Sequence, residues 1–392
     1  MPPGGLLARL GFMETLASPG ILYTAAVFAL VIGILVFVHE FGHYAVARMF
    51  GIKVEAFAVG FGKEIVGWTD RNGTRWKLGW IPMGGYAKFA GDANAASQPD
   101  LALDATLPEA ERANLFHNRP LWQRSLVVLA GPGINFLFAI AIFAAFFMTY
   151  GHQITPPVVG HVVDGTPAAV AGLEQGDRII SIDGQGVDRF EDVSRIIAIN
   201  PGSAVDIKVE RGGADKHLVA TPRIITEVDR FGNEYQRGQL GLQSGELVVV
   251  RHGPVQAVRW AMVETWATVR MMWDTIVQVV TGRRSLDDLG GPVKIAQFSG
   301  QSATLGLPAL ISFIALISIN LGFINLLPIP MLDGGHLFLY ALEGVRRRPL
   351  HPKVQEWAFM SGFALLMSLM LVLTLNDLRS VGVWDRITGI IG

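Results

Sequence analysis

The sequence predicts a polytopic α-helical membrane protein. It would have four transmembrane helices, a membrane-associated β-hairpin loop after the first, and an α+β domain inserted between the second and third. Three observations predict this. Hydrophobic residues make up 51% of the 392-residue chain and charged residues only 17%, well below the roughly 25% charge of soluble domains. Four apolar runs each approach the ~20 residues that cross a hydrocarbon core. Between the second and third runs, short β-rich stretches recur at the spacing of a small globular domain.

The runs cover about 21 to 46, 124 to 150, 305 to 327 and 357 to 375. The first has a weak basic lead and no clean small-residue cleavage site, so it reads as a retained span. Arg346, Arg347, Arg348 and Lys353 lie between spans three and four. Arg48, Lys53 and Lys63 follow span one, and Arg119 and Arg124 precede span two. Basic residues near span ends mark the cytoplasmic side. Both loops therefore face the cytoplasm, and the N-terminus, the C-terminus and the long segment 151 to 304 lie outside. A formal net charge of -1 gives no field that would attract nucleic acid, and the absence of cysteine leaves His, Asp and Glu as metal donors.

Residues 51 to 92 read as strands. Asp70-Arg71-Asn72-Gly73 marks a turn between Ile65–Trp68 and Trp76–Leu78. The aromatic and glycine-rich tract Trp80–Phe89, with Gly84 and Gly85, suits a β-loop at the membrane interface. Residues 93 to 118, polar and broken by Pro99 and Pro108, read as a mobile cytoplasmic loop.

Residues 157 to 243 read as a soluble domain with strands near 158–159, 178–182, 205–209 and 217–220 and a helix near 190–199. The run Thr166–Leu173 followed by Gly176-Asp177-Arg178-Ile179-Ile180 resembles a bacterial PDZ domain. In that family a glycine-containing loop offers N–H groups to a peptide carboxylate. Gly238, Leu240 and Gly241 occupy the matching loop, and a spacer without carboxylate binding is the alternative. Residues 254 to 282, with Trp260, Trp266 and Trp273 among Arg259, Glu264, Arg270 and Asp274, read as an amphipathic surface helix. The expected divisions are 1–150, 151–248 for the PDZ domain, 249–304 for the surface helix and a linker, and 305–392.

Chemistry enters at His39-Glu40-Phe41-Gly42-His43, at the end of the first run. His-Glu-x-x-His on a helix puts two imidazoles on one face, where both can bind one zinc ion, with the Glu as general base. Ionisable residues at membrane depth are costly and mostly functional. A third donor is required. Glu64 has the spacing of a thermolysin-like ligand but stands in the strand region. Asp333 follows the break Pro328-Ile329-Pro330 at the end of span three and precedes Gly334-Gly335. It is the favoured third ligand, with His336 as a further donor or a supporting group.

These motifs together resemble the site-2 protease family of intramembrane zinc metalloproteases, in particular the bacterial group that cuts anti-sigma factors. His39–His43 matches the family's zinc motif. Asn325 to Gly334 matches its Asn-x-x-Pro-x-Pro-x-Leu-Asp-Gly motif, and Gly131-Pro132-Gly133-Ile134-Asn135 its Gly-Pro-x-x-Asn element. The chain departs from well-known relatives in having one PDZ domain rather than two.

The resemblance implies a chain in the bacterial cytoplasmic (inner) membrane, with its PDZ domain outside and its active site open to the cytoplasm. It implies one zinc ion on His39, His43 and Asp333, with Glu40 as the catalytic base. It implies single-span substrates, such as anti-sigma factors or signal-peptide remnants, cut after an upstream first-site protease. Asn325 and Asn135 are in-membrane amides able to hold an extended substrate, or to bond helix to helix. The loop carrying Gly84 and Gly85 offers an edge strand, and the PDZ domain would exclude untrimmed ectodomains. A metal transporter and a non-catalytic PDZ receptor are the competing classes. Neither accounts for Glu40 between the two histidines.

Overall fold

Apolar composition sets the long helices. The computed structural model describes residues 20–92, 108, 112, 115–228, 234–282 and 290–380. Most of the polar loop expected at 93–118 and both terminal stretches lie outside the described residues. The chain falls into two units, one of Met1–Ala144 with Val258–Gly392 and a second of Ala145–Ala257.

In the first unit, helix α1 (Ile21–Met49) carries the His-Glu-x-x-His motif. Strands β1 (Val54–Thr69) and β2 (Arg75–Phe89) follow and pair antiparallel. Both are longer than the hairpin expected from the turn signal. Glycines at positive φ bend them, at Gly60 and Gly62 in β1 and at Gly84 in β2. The bends make the sheet four segments wide. Phe57 stands opposite both Ala87 and Trp76, Val59 opposite both Gly85 and Leu78, and Trp68 opposite Trp76. Segment 85–89 is therefore an outer strand, and no further strand pairs with it among the described residues.

The turn forms as its sequence demands. Asp70 Oδ1 accepts from the backbone N–H of Asn72 at 2.8 Å and of Thr74 at 3.0 Å, and Gly73 takes φ 81°. Trp76 Nε1 and the Tyr44 hydroxyl donate to Oδ2, which ties the turn to α1. The Trp76 bond, with the others, holds this carboxyl below its usual range.

Helix α2 (Leu121–Thr149) contains Pro132 and is the second apolar helix. Helix α1 comes very close to it. A Cβ on Gly42 would stand 2.3 Å from the Ala130 carbonyl oxygen, so only glycine permits this contact.

The second unit contains strands β3 (His152–Ile154) and β4 (Val159–Val162), helix α3 (Pro167–Val170), β5 (Arg178–Ile182), β6 (Gln185–Gly186) and helix α4 (Phe190–Ala198). Strands β7 (Val205–Arg211), β8 (Ala214–Ala220), β9 (Arg223–Val228), β10 (Glu234–Gln239), β11 (Leu242–Ser244) and β12 (Val248–Val250) follow. The main sheet has the order β6-β5-β7-β8, with separate pairs β11–β4, β10–β9 and β12–β3. Alternate residues Val205, Ile207 and Val209 point inward and join Ile179, Ile182 and Ile196 in one apolar core. Arg211 bonds the fully buried Asp177 through both carboxylate oxygens.

Pro254–Val280 forms helix α5, over the range expected to be helical. Where the sequence suggests a linker, Pro292–Thr304 is a helix, α6, packed against α1. Three further helices are α7 (Leu307–Asn325), α8 (Asp333–Arg346) and α9 (Pro352–Ser380), and α6 also packs on α7 and α9. Asp377 of α9 is fully buried and caps α6 from outside. It accepts from the backbone N–H of Gly291, Val293 and Lys294. Four helices among the described residues are long and apolar enough to cross a membrane: α1, α2, α7 and α9.

Candidate metal centre

Four residues of helical spacing set His39 and His43 on one face of α1. Both rings are buried, and their Nε2 atoms lie 3.3 Å apart. Asp333 arrives from the other end of the chain. Past Asn325 the backbone cannot continue α7, because Pro328 and Pro330 lack the N–H a helix needs. Met331 takes φ 83°, and α8 begins at Asp333. The connecting loop folds tightly over the start of α8. A Cβ on Gly334 would be 2.3 Å from the carbonyl oxygens of Leu326 and Leu327, and one on Gly335 2.3 Å from that of Ile329. The two glycines therefore let the loop deliver Asp333 to the histidines.

Asp333 Oδ2 is 3.2 Å from His39 Nε2, and Oδ1 is 3.5 Å from His43 Nε2. One donor atom from each of the three residues falls within 4.8 Å of the others. Ligands about 2.0–2.2 Å from a tetrahedral zinc ion stand about 3.3–3.6 Å apart. The separations between the three side chains follow that spacing. Asp333 Oδ2 is also buried without a hydrogen bond, although it lies close to His39. Three buried donor groups converging at these distances fit a cation between them. The neighbouring helix leaves room for it: a Cβ on Gly131 of α2 would be 2.2 Å from His43 Nε2 and 3.0 Å from His39 Cε1. The donor set of two imidazoles, one carboxylate and an open fourth side suits zinc in a hydrolase.

The three donors form one wall of a cavity of about 280 Å³. Glu40, His336, Tyr340 and Asn325 also line it. The outer strand segment contributes Gly84, Gly85, Tyr86 and Ala87. A Cβ on Gly85 would meet Val36 Cγ1 at 2.5 Å and Glu40 Cγ at 3.2 Å, so a bare backbone is needed beside Glu40. The backbone N–H of Ala87 hydrogen-bonds to Glu40.

The structure bears on three places where the sequence left alternatives open. Glu64 is bound to Arg75 on the exposed sheet and belongs to no group of metal donors among the described residues. Asn135 does not line the cavity; it is 0% exposed and its amide lies against the His39 ring, which makes it a helix-to-helix contact rather than a substrate contact. Leu240 is 3% exposed and belongs to the core of its domain. A Cβ on Gly238 would strike the Ile197 carbonyl oxygen at 2.2 Å. Gly241, at φ 82°, packs on Thr166. Local packing thus accounts for the residue type at each of these loop positions. His336 stands three residues from Asp333 but outside the donor group, its ring beside Phe359.

A model of Peptidase family M50 matches residues 27–369 of this chain. A protein of Rhizobium meliloti (strain 1021), named as a candidate zinc metalloprotease, is 43% identical over 361 residues. The match covers 91% of this chain and 96% of that protein. Metalloprotease MmpA of Caulobacter vibrioides is 37% identical over 385 residues, covering 92% and 96%. Among solved structures, the PDZ domain of an SdrC-like protein from Listeria monocytogenes covers 24% of this chain and 90% of its own, with 22% identity and a TM-score of 0.19.

Proposed function

We propose that this chain, a membrane zinc metalloprotease that belongs to peptidase family M50, cuts peptide bonds within or beside the spans of single-span membrane proteins. The observation that carries the reading is the convergence of His39, His43 and Asp333 in a cavity that is also lined by Gly85, Tyr86 and Ala87 of an outer strand segment, paired along one edge. His39, His43 and Asp333 are assigned as the zinc ligands and Glu40 as the general base.

Zinc, when bound, supplies Lewis acidity to the scissile carbonyl and eases ionisation of water. Glu40 takes a proton from the attacking water as its oxygen adds to the carbonyl carbon. The same carboxyl then gives that proton to the departing amide nitrogen as the C–N bond breaks. A membrane-spanning helix has its backbone groups satisfied internally, so it must unwind before it can be cut. Segment 85–89 is placed to receive the unwound chain as an added strand. Asn325, at the end of α7, is the side-chain amide within reach of that chain.

The apolar, exposed side chains of Phe61, Ile65, Trp80 and Ile81 at the bent part of the sheet support contact with the membrane interface. Arg346, Arg347 and Arg348 support a cytoplasmic mouth, in the inner membrane of a bacterium. Residues 151–248 are read as a PDZ-type domain outside, gating entry so that substrates such as anti-sigma factors or signal-peptide remnants are cut after a first-site protease has trimmed them.

The test is cleavage of a single-span model substrate in detergent by wild type and Glu40→Gln, with and without a zinc chelator. The variant should lose about 10²–10⁴-fold in rate while keeping its zinc. Full activity of the variant, or activity indifferent to chelation, would refute the proposal.

A further inference from the structure

We propose that Asn135 is a positioning residue for the metal centre: its Oδ1 accepts a hydrogen bond from Nδ1–H of His39, so that His39 presents a bare Nε2 to the ion. The inference rests on the reading of His39 as a zinc ligand.

Three positions of α2 face the two histidines at intervals of four. The Val127 carbonyl oxygen lies 2.9 Å from His43 Nδ1. Gly131 leaves the space in which the Nε2 side of that ring stands. The amide of Asn135 lies 3.0 Å from His39 Nδ1. Residues i, i+4 and i+8 share one helix face, so α2 supports both rings from a single stripe. A carbonyl oxygen can only accept, so His43 carries its proton on Nδ1 and its Nε2 is free. His39 needs the same tautomer to bind the same ion.

Only one orientation of Asn135 provides it. With the amide nitrogen toward the ring, His39 Nδ1 is the acceptor and the proton sits on Nε2, aimed at His43 and Asp333. That orientation leaves Asn135 Oδ1 buried with no partner; a half-turn puts the NH2 group there instead, so the tautomer that the ion needs is what selects the orientation. The nitrogen and oxygen of an amide are exchanged by a half-turn of the side chain. With Oδ1 toward the ring, the oxygen gains a donor and Nε2 gains its lone pair. The backbone of Asn135 is held meanwhile, since Ser318 Oγ on α7 donates to its carbonyl oxygen at 2.8 Å. A neutral amide here does for His39 what a carboxylate or carbonyl does for zinc-bound histidines generally.

The test measures zinc affinity by competition with a chromogenic chelator, in the full-length purified protein. Wild type is compared with Asn135→Leu, Asn135→Asp and His39→Ala. Asn135→Leu, which removes the acceptor at similar volume, should weaken zinc binding about 10–100-fold. Asn135→Asp, an acceptor that cannot donate when ionised, should stay within a few-fold of wild type or bind more tightly. A merely structural amide would not be rescued by a buried carboxylate. Wild-type affinity in Asn135→Leu, or loss in Asn135→Asp as complete as in Asn135→Leu, would overturn the assignment. His39→Ala separates the two readings, because zinc retained in that variant would refute the ligand set itself.

Discussion

Oδ2 of Asp333 lies 3.2 Å from Nε2 of His39, although about three-quarters of the chain separates the two residues. The candidate metal centre therefore exists only when the start of α8 meets α1. A cation bound there acts as a cross-link between the two membrane halves and stabilises the folded state over the unfolded one.

Asp333→Ala should lower zinc affinity by more than the roughly 10–100-fold that loss of a supporting partner costs. Glu64→Ala should leave it unchanged, because Glu64 is occupied by Arg75 on the exposed sheet. Zinc per chain, measured after dialysis, checks both. The opposite pattern would move the third ligand to the strand region.

Gly131→Ala should also strip zinc from the protein. The added methyl carbon would be 2.2 Å from His43 Nε2, far inside van der Waals contact, and either the ring or α2 must shift. Gly133→Ala is the control, since a Cβ there meets nothing within 4 Å. Metal content and activity should stay at wild-type levels in the control and fall together in Gly131→Ala.

The domain between spans two and three should lose stability in acid through Asp177. Burial pushes this carboxyl up, but the Arg211 guanidinium, the Glu174 N–H and the charges of Arg211 and Lys216 together hold it below its ordinary value. A carboxylate with a depressed folded value contributes stability that is present above its unfolded value, about pH 4, and is lost as pH falls through the folded one. Asp177→Asn should cost about 3 kcal/mol at neutral pH, because it leaves the Arg211 charge without its buried partner. It should also flatten the acid side of the stability profile. Hydrogen-exchange protection of β5 and β7 against pH reads this directly.

Deleting residues 157–243 should allow cutting of substrates whose ectodomains are untrimmed, if the domain acts as a steric gate. Leu240→Arg is expected to act on folding rather than on peptide binding alone. It puts a charge in the apolar core and should unfold the domain. The gate is refuted if the deletion leaves cleavage of untrimmed substrate unchanged.

The parts of this chain that could be read from sequence are those whose cause is local. His39 and His43 declare their shared face through spacing alone, and the apolar runs declare the four long helices through composition. The turn at Asp70–Gly73 carries its own hydrogen-bond partners. What escaped depends on contacts made at a distance. Helix α6 is short, of mixed polarity, and is capped by Asp377 from another helix, so neither periodicity nor a local cap announces it. Only the Gly291-Pro292 start was there to find. Asn135 stood out as an amide in an apolar helix, but the direction it faces follows from how α2 packs on α1. Leu240 sat in a glycine-rich loop of surface-like sequence, and its burial is a property of the assembled domain.

The cap that Asp377 places on α6 gives the last turns of α9 a reach beyond anchoring. Shortening the protein to a point before residue 377 would strip the start of α6 of this acceptor, and α6 is packed against the helix that holds His39, Glu40 and His43. Damage at the far C-terminal end of the last span would then show as a defect in metal retention, and truncation mapping would mistake a distant support for part of the active site.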